Sequence, residues 1–373
     1  MKIKTITCHE VYNYGATLQE YALLYYLQTL GHESQAIHYK PYYLDNHFNL
    51  WTISNPKYKR FPLKYLYLLT RLPGRLNILK KKKAFDKFSD QYINTDSTLY
   101  RTNKELKENL PEADAYICGS DQIWNTLFSN GKDAAFYLDF VPDNKLKLSY
   151  AASFATDEIA DEIKPFVYEK ARRLNAISVR ETSAVSILGG LGLKAKQVLD
   201  PVFLIPNTHW LETFVSPISE KFIFVYDFES NPLIEKLAKS IALEKGYKIY
   251  TVNMNITYAD KNLWHSAPDM FLSLAYHAEH IFTNSFHALA FSLIFEKQVC
   301  VINRSEEINT RMRDLLDLVG LNQYLIKDEN DFNLLSPIQY EIINPILEKY
   351  ITESKSFLQN NLSRYEETNT VCY

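Results

Sequence analysis

Ile281-Phe-Thr-Asn-Ser-Phe-His287-Ala-Leu-Ala-Phe-Ser-Leu-Ile-Phe295 decides how this chain is read. The β-branched and aromatic run His280–Thr283 has the composition of a strand. It meets polar Asn284-Ser285, which sit where a helix N-cap belongs, and an almost wholly apolar helix follows with His287 in its first turn. Free backbone N–H groups and the positive end of the helix macrodipole gather there, a ready place for an anion. Two readings stand. Either His287 borders an anion site complemented by Arg304, Arg311 and Arg313, or it packs against a sheet beneath an ordinary capped helix.

The same strand–helix alternation extends in both directions. Lys2–Cys8 reads as a strand and Gly15 as part of a turn. Leu18, Ala22, Tyr25, Tyr26 and Leu30 recur at helical spacing, Gly31 is the stop, and Ala36–Tyr39 is a second strand. This βαβ unit favours a parallel sheet with helices on its faces. Short strands are expected at Asp114–Cys118, Leu146–Ala152, Ile177–Arg180 and Gln197–Leu199. After Asp200-Pro-Val-Phe-Leu-Ile-Pro206 the pattern restarts with strands Phe222–Tyr226, Lys248–Val252, His280–Thr283 and Val299–Asn303. Helices Leu233–Glu244, Asp269–Ala278 and Thr310–Leu318 lie between and after them. The expectation is an α/β chain of two Rossmann-like domains facing across a cleft, 1–205 and 206–345. A helix over 346–373 is a candidate to cross back to the first domain.

Composition narrows the function classes. A length of 373 residues suits two domains, and 46% apolar residues supply ample core. A net charge of −3 argues against a nucleic-acid binder. No apolar run is long enough to span a membrane, and Met1–Cys8 lacks the core of a signal peptide, so a cytoplasmic protein is expected. The four cysteines, Cys8, Cys118, Cys300 and Cys372, are far apart and form no CxxC pair. Neither zinc ligation nor a disulfide framework is therefore indicated. Neither GxGxxG nor GxxxxGK[ST] occurs, which removes dinucleotide cofactors and P-loop chemistry.

One stretch stands apart in charge. Residues 57–87, within an insert placed at 57–88, hold eleven Lys or Arg against Asp86 alone, with Tyr58, Phe61, Tyr65, Leu66 and Leu69 among them. It is either an amphipathic surface for an anionic membrane or a pair of helices with solvated lysines.

Six segments taken together resemble the polysaccharide pyruvyl transferase family. They are Tyr12-Asn-Tyr-Gly-Ala-Thr-Leu-Gln-Glu-Tyr-Ala22, Cys118-Gly-Ser-Asp-Gln-Ile-Trp-Asn125, Ser149-Tyr-Ala-Ala-Ser-Phe154, Ile177-Ser-Val-Arg-Glu181, Asp200-Pro-Val-Phe203 and Thr283-Asn-Ser-Phe-His287. The resemblance implies a GT-B-like fold, phosphoenolpyruvate as donor, a sugar as acceptor and a cyclic pyruvate ketal as product, with phosphate released. No cofactor is expected, phosphoenolpyruvate being a substrate, and no residue is assigned as a metal ligand. Many relatives carry Asp where Asn284 stands, and some carry Arg where Ser285 stands. The missing cation shifts donor binding onto Arg180, with Arg311 or Arg313 sharing it beside Asn284 and Ser285.

Protonation of the donor methylene needs a general acid, and His287 is the candidate. Arg180 ends a strand, where ligands enter α/β sheets, and offers a bidentate fork. Asn13, Tyr14, Gly15, Gly119, Ser120 and Trp124 fall on the acceptor side, with Asp121 as candidate base and Tyr14 and Trp124 as candidate sugar-stacking rings. The expected acceptor is a hexose, galactose as a 4,6-ketal, in a lipid-diphosphate-linked repeat unit of a capsule or exopolysaccharide. The basic insert would then touch the inner membrane face. The alternative is a GT-B glycosyltransferase that holds a nucleotide sugar at the same helix end.

Overall fold

The structure, a computed structural model, describes residues 1–45, 63–304, 309–333 and 335–370. Two six-stranded sheets, parallel in every pair, carry the fold. The first contains β1 (Lys2–Ile6), β2 (Glu33–Ala36), β3 (Ala115–Cys118), β4 (Leu146–Ala152), β5 (Ala176–Val179) and β6 (Lys196–Gln197), in the order β2-β1-β3-β4-β5-β6. The second contains β7 (Phe222–Tyr226), β8 (Lys248–Thr251), β9 (Lys261–Asn262), β10 (His280–Thr283), β11 (Val299–Ile302) and β12 (Leu325–Ile326), in the order β12-β11-β10-β7-β8-β9. Central strands such as Ala-Tyr-Ile-Cys and Phe-Ile-Phe-Val-Tyr are buried at every position. Helices cover both faces of a parallel sheet, so such strands read as unbroken apolar runs.

The order reverses between β1 and β3 in the first sheet and between β7 and β10 in the second. At such a switch point the loops leave on opposite faces and open a crevice at the carboxyl ends of the strands. The loops after β1, β3, β7 and β10 therefore frame one cleft.

The second strand forms at Glu33–Ala36, earlier than Ala36–Tyr39. Thr5 pairs with Ala36, and beyond it Tyr39 retains only an isolated bridge to Tyr100. The last helix runs from Tyr340 to Thr370 and passes through Pro345 instead of starting after it. Proline leaves one carbonyl without its usual donor. Packing compensates: the Tyr340 hydroxyl donates to the carbonyls of Ser292 and Lys297, and Ile343 and Leu347 are buried. Farther along, Phe357, Leu358 and Leu362 pack with Ile3, Leu23 and Leu27 under the first sheet. One helix thus spans both sheets.

The part of the basic stretch that is described is a single helix, Leu63–Tyr92, and not a pair; residues 57–62 lie outside the described residues. Its second half is anchored by Phe85 and Phe88 in an apolar cluster that also holds Tyr14, Leu18, Trp210, Phe271, Leu289 and Phe291. The two sheets therefore share one continuous core across their boundary. Among the described residues no helix is long and apolar enough to cross a membrane.

Leu358 is fully buried where the last helix meets the first sheet. Leu358→Ala should cost about 2–5 kcal/mol of unfolding free energy, the usual range for emptying such a site. A urea midpoint equal to wild type would show that this end of the helix is not docked.

Candidate active site

Each wall of the cleft is built from a strand-to-helix turn. After β1, Asn13 caps the Tyr14–Thr29 helix by accepting from the amides of Gly15 and Ala16 at 3.0 and 3.3 Å. Gly15 follows, and across the cleft the ring of His287 fills the space a side chain would need: a Cβ on Gly15 would lie 2.0 Å from His287 Nδ1. After β3 the chain turns through Gly119, at φ +122°, where a Cβ would meet the Tyr150 carbonyl at 2.1 Å. Ser120 beneath it is fully buried. Its amide donates to Gln19 Oε1 at 3.0 Å, and its hydroxyl donates to the Ala151 carbonyl at 2.8 Å and to Asp200 Oδ2 at 3.3 Å. This lock presents Asp121, itself in the left-handed region at φ +68°, to the opposite domain.

On the other wall, Ser285 caps the Phe286–Ile294 helix and accepts from the Ala288 amide at 3.5 Å. Asn284 does not share that cap. Its Oδ1 accepts from the Phe228 amide at 2.9 Å and its Nδ2 donates to Asp227 at 2.6 Å, which ties the turns after β7 and β10 together. His287 occupies the helix's first turn, is 6% exposed, and stands with Nε2 3.5 Å from Asp200 Oδ2, without hydrogen-bond geometry.

Charges connect the two walls. Arg180 donates to Asp200 at 2.5 Å and to Asp121 at 3.1 Å, with its guanidinium 4.4 Å from the centre of the Phe286 ring. Arg311, from the second domain, reaches the same Asp121 oxygen at 3.2 Å. With its oxygen turned toward Arg311, the Gln122 amide also accepts from that guanidinium. Burial alone would raise the Asp121 carboxyl, but Arg180, Arg311 and His287 outweigh it and hold it below the usual range. Asp200 follows the same rule: burial opposes ionisation, while His287, Arg180 and the Val202 amide bring it to about 2. Burial, then the neighbouring Arg180, lower Arg311 to about 10. Glu181 is different. Burial dominates, and despite Arg180 and Ser153 its carboxyl is raised to about 6.

Asn13, Asp121, Asn284, Ser285, Phe286, His287, Arg304 and Arg311 border a cavity of about 100 Å³ in the cleft. Two lining residues, Arg311 at Nε and His287 at Nε2, carry buried nitrogens without hydrogen-bond partners, as does Nε of Arg180 behind them. Buried polar groups are normally satisfied, so the two on the lining are exceptions that need an account.

The other expected site residues stand elsewhere. Tyr14 is fully buried, stacked on Phe271 at 5.3 Å, with its hydroxyl donating to the Ser266 carbonyl, and cannot meet a sugar. Trp124 is stacked on Tyr137 at 5.1 Å and donates to the Phe136 carbonyl, equally enclosed. Gly119 and Ser120 shape the floor beneath Asp121, and Gly15 makes room for His287. Arg180 lies behind the cavity, both terminal nitrogens committed to aspartates. Arg313 faces outward, 2.6 Å from Asp157 of the first domain, and does not line the cavity. Asp121, ionised between two arginines, is a poor proton acceptor. Asp200 is a site residue that the sequence pattern does not single out, because only the fold brings the Asp-Pro-Val-Phe turn to within 3.5 Å of His287.

The family profile described as polysaccharide pyruvyl transferase matches residues 13–306. No curated protein matches the sequence. In fold, the chain is similar to a UDP-N-acetylglucosamine 2-epimerase from Rickettsia bellii, 13% identical over 99% of this chain and 98% of that one, with a TM-score of 0.50. It is likewise similar to MnaA of S. aureus, determined with UDP, at 15% identity over 96% of this chain and 97% of that one, with a TM-score of 0.50. At such identity the likeness concerns the fold alone, which is the GT-B-like pairing of two parallel-sheet domains.

Glu181 yields a pH test. Its carboxyl, raised from 4.5 to about 6, keeps in the folded chain a proton that the unfolded chain has released between those values. Its contribution to stability is therefore present at low pH and lost as pH rises through the window, by about 2 kcal/mol. Glu181→Gln should lack that decline, so urea midpoints of variant and wild type should diverge between about pH 4.5 and 6.5. Parallel curves would show an unshifted carboxyl.

Proposed function

The chain belongs to the polysaccharide pyruvyl transferase family, and from that premise we propose that it moves the enolpyruvyl group of phosphoenolpyruvate onto two hydroxyls of one hexose. A galactose 4,6-ketal in a capsular or exopolysaccharide repeat unit is the product envisaged. His287 delivers a proton to the donor methylene, which leaves an oxocarbenium-like carbon. One sugar hydroxyl adds to that carbon, and a second displaces phosphate to close the ketal. Of the two hydroxyl protons, one balances the proton given to the methylene and the other leaves with phosphate.

The observation that carries this reading is a small cavity lined by Arg311 and His287, each with a buried nitrogen that lacks a hydrogen-bond partner. Phosphoenolpyruvate brings a phosphate and a carboxylate, and guanidinium groups suit both. Arg311 and Arg304 are the donor-binding cations, and the first turn of the Phe286–Ile294 helix adds its positive end. Arg180 acts one layer back, holding Asp121 and Asp200 in place; Asp200 in turn orients His287. A cavity of about 100 Å³ is small beside the ~300–1,000 Å³ typical of pockets for larger ligands. This favours a compact anion over a nucleotide sugar.

The acceptor side is less defined, with Asn13 its nearest group. A lipid-diphosphate-linked acceptor would bring the protein to the inner membrane face. On the Leu63–Tyr92 helix, Tyr65, Leu69 and Leu76 are 57%, 66% and 48% exposed. Their spacing of four and seven residues puts them on one face, which supports peripheral contact with an anionic bilayer. Replacing all three by serine should abolish cosedimentation with vesicles containing anionic lipid; unchanged cosedimentation refutes the contact.

His287→Ala should lower kcat for phosphate release in the presence of acceptor by about 10²–10⁴. Gly15→Ala should do nearly as much by driving the imidazole from its seat. Arg311→Met should raise KM for phosphoenolpyruvate about 10–100-fold, the worth of one charge-assisted hydrogen bond. Mass spectrometry of the acceptor should show a gain of one pyruvate less water. A wild-type kcat in His287→Ala removes the acid assignment.

A further inference from the structure

A second cluster of reactive groups stands apart from the cavity. His9, Glu10 and His38 each present one ligand atom, and these atoms lie within 4.8 Å of one another. His9 follows β1 and His38 follows β2. Parallel pairing of those strands brings their rings to 5.2 Å, crossed at 77°.

His9 is 1% exposed, and its Nε2 makes no hydrogen bond. Its other nitrogen, Nδ1, lies 2.7 Å from the buried carboxylate of Glu20. A carboxylate on one ring nitrogen orients the ring as it does in metal-bound histidines. Burial alone would lower this imidazole, but Glu20 and Glu10 outweigh it and raise it to about 10, so a metal at Nε2 would displace a proton. Glu10 divides its carboxylate: Oε2 accepts from Lys40 at 2.5 Å, and Oε1 stands 3.6 Å from His9 Nε2. Zinc bonds of ~2.0–2.2 Å at tetrahedral angles place neighbouring ligand atoms roughly 3.4 Å apart, close to that separation. His38 and Glu10 are half-buried, so one side of the cluster faces solvent.

We propose that His9, Glu10 and His38 bind a divalent transition metal of the zinc class, with Glu20 positioning His9 and a fourth coordination place left for water or a ligand oxygen. Two histidines and one carboxylate form the open type of zinc set, whereas closed structural sites use four protein ligands, most of them cysteine. The loop that carries His9 continues to Asn13, so the metal sits on the first-domain side of the cleft, within the carboxyl-end crevice. Composition concealed the site because His38 is distant in sequence from the adjacent pair His9-Glu10 and no cysteine takes part.

The test uses the full chain, stripped with chelator and titrated with Zn²⁺ by calorimetry and with Co²⁺ by visible absorption. One saturable site per chain is expected, with the intense d–d bands of low-symmetry cobalt. His38→Ala, at a half-buried position, should remove saturable binding while circular dichroism stays unchanged. Glu20→Gln should weaken binding about 10–100-fold, as second-layer partners of metal-bound histidine do. No saturable binding in the wild-type chain, or wild-type affinity in His38→Ala, overturns the proposal and leaves His9 as an imidazole held between Glu20 and Glu10.

Discussion

Arg180 cannot be buried alone. Removing a guanidinium from water costs several kcal/mol unless anions compensate it, and breaking one member of such a group typically costs about 3–5 kcal/mol. Its two partners come from separate turns: Asp121 after β3 and Asp200 where the first sheet hands over to the second. Satisfying one cation therefore fixes the relative position of the strand ends that form one side of the cleft. Arg311 then adds a claim on Asp121 from the other domain, so the same electrostatic condition also sets the distance between the walls. His287 and the cavity take their places inside this frame.

The apolar seam works to the same end by different means. Tyr14, Phe85, Trp210, Phe271 and Phe291 belong to one cluster that crosses the domain boundary. Relative domain motion is the default unless the interface is large and hydrophobic, and this cluster is apolar across the boundary. Aromatic rings locked edge-to-face or in stacks have few alternative packings, so the seam holds His287 against Gly15 in one arrangement. Many aromatic side chains here thus serve geometry, including two that chemistry would have offered to a sugar.

Much of the architecture was legible in the residue pattern because strand and helix periods are local. Ser285 ahead of an apolar helix announces a cap, and the expected strand at Phe222–Tyr226 is five residues buried at every position. Burial and partnership are not local. Tyr14 and Trp124 have the same composition whether they face a cleft or a core. Arg180 looks like a ligand fork until the fold reveals Asp200 beside it. Arg313 is two residues from Arg311, yet on a helix that spacing turns it to another face, and it meets Asp157 in place of the cavity. Edges slip for a related reason: Glu33–Ala36 is a polar outer strand whose extent is set by β1, not by its own residues.

The Tyr340–Thr370 helix carries a mechanical implication. It is gripped near its start by the second sheet and farther along by the first, so it acts as a tie-bar that resists pulling the two halves apart along its length. A rearrangement that kept both ends of this helix docked would have to turn the halves about it and not slide them along it.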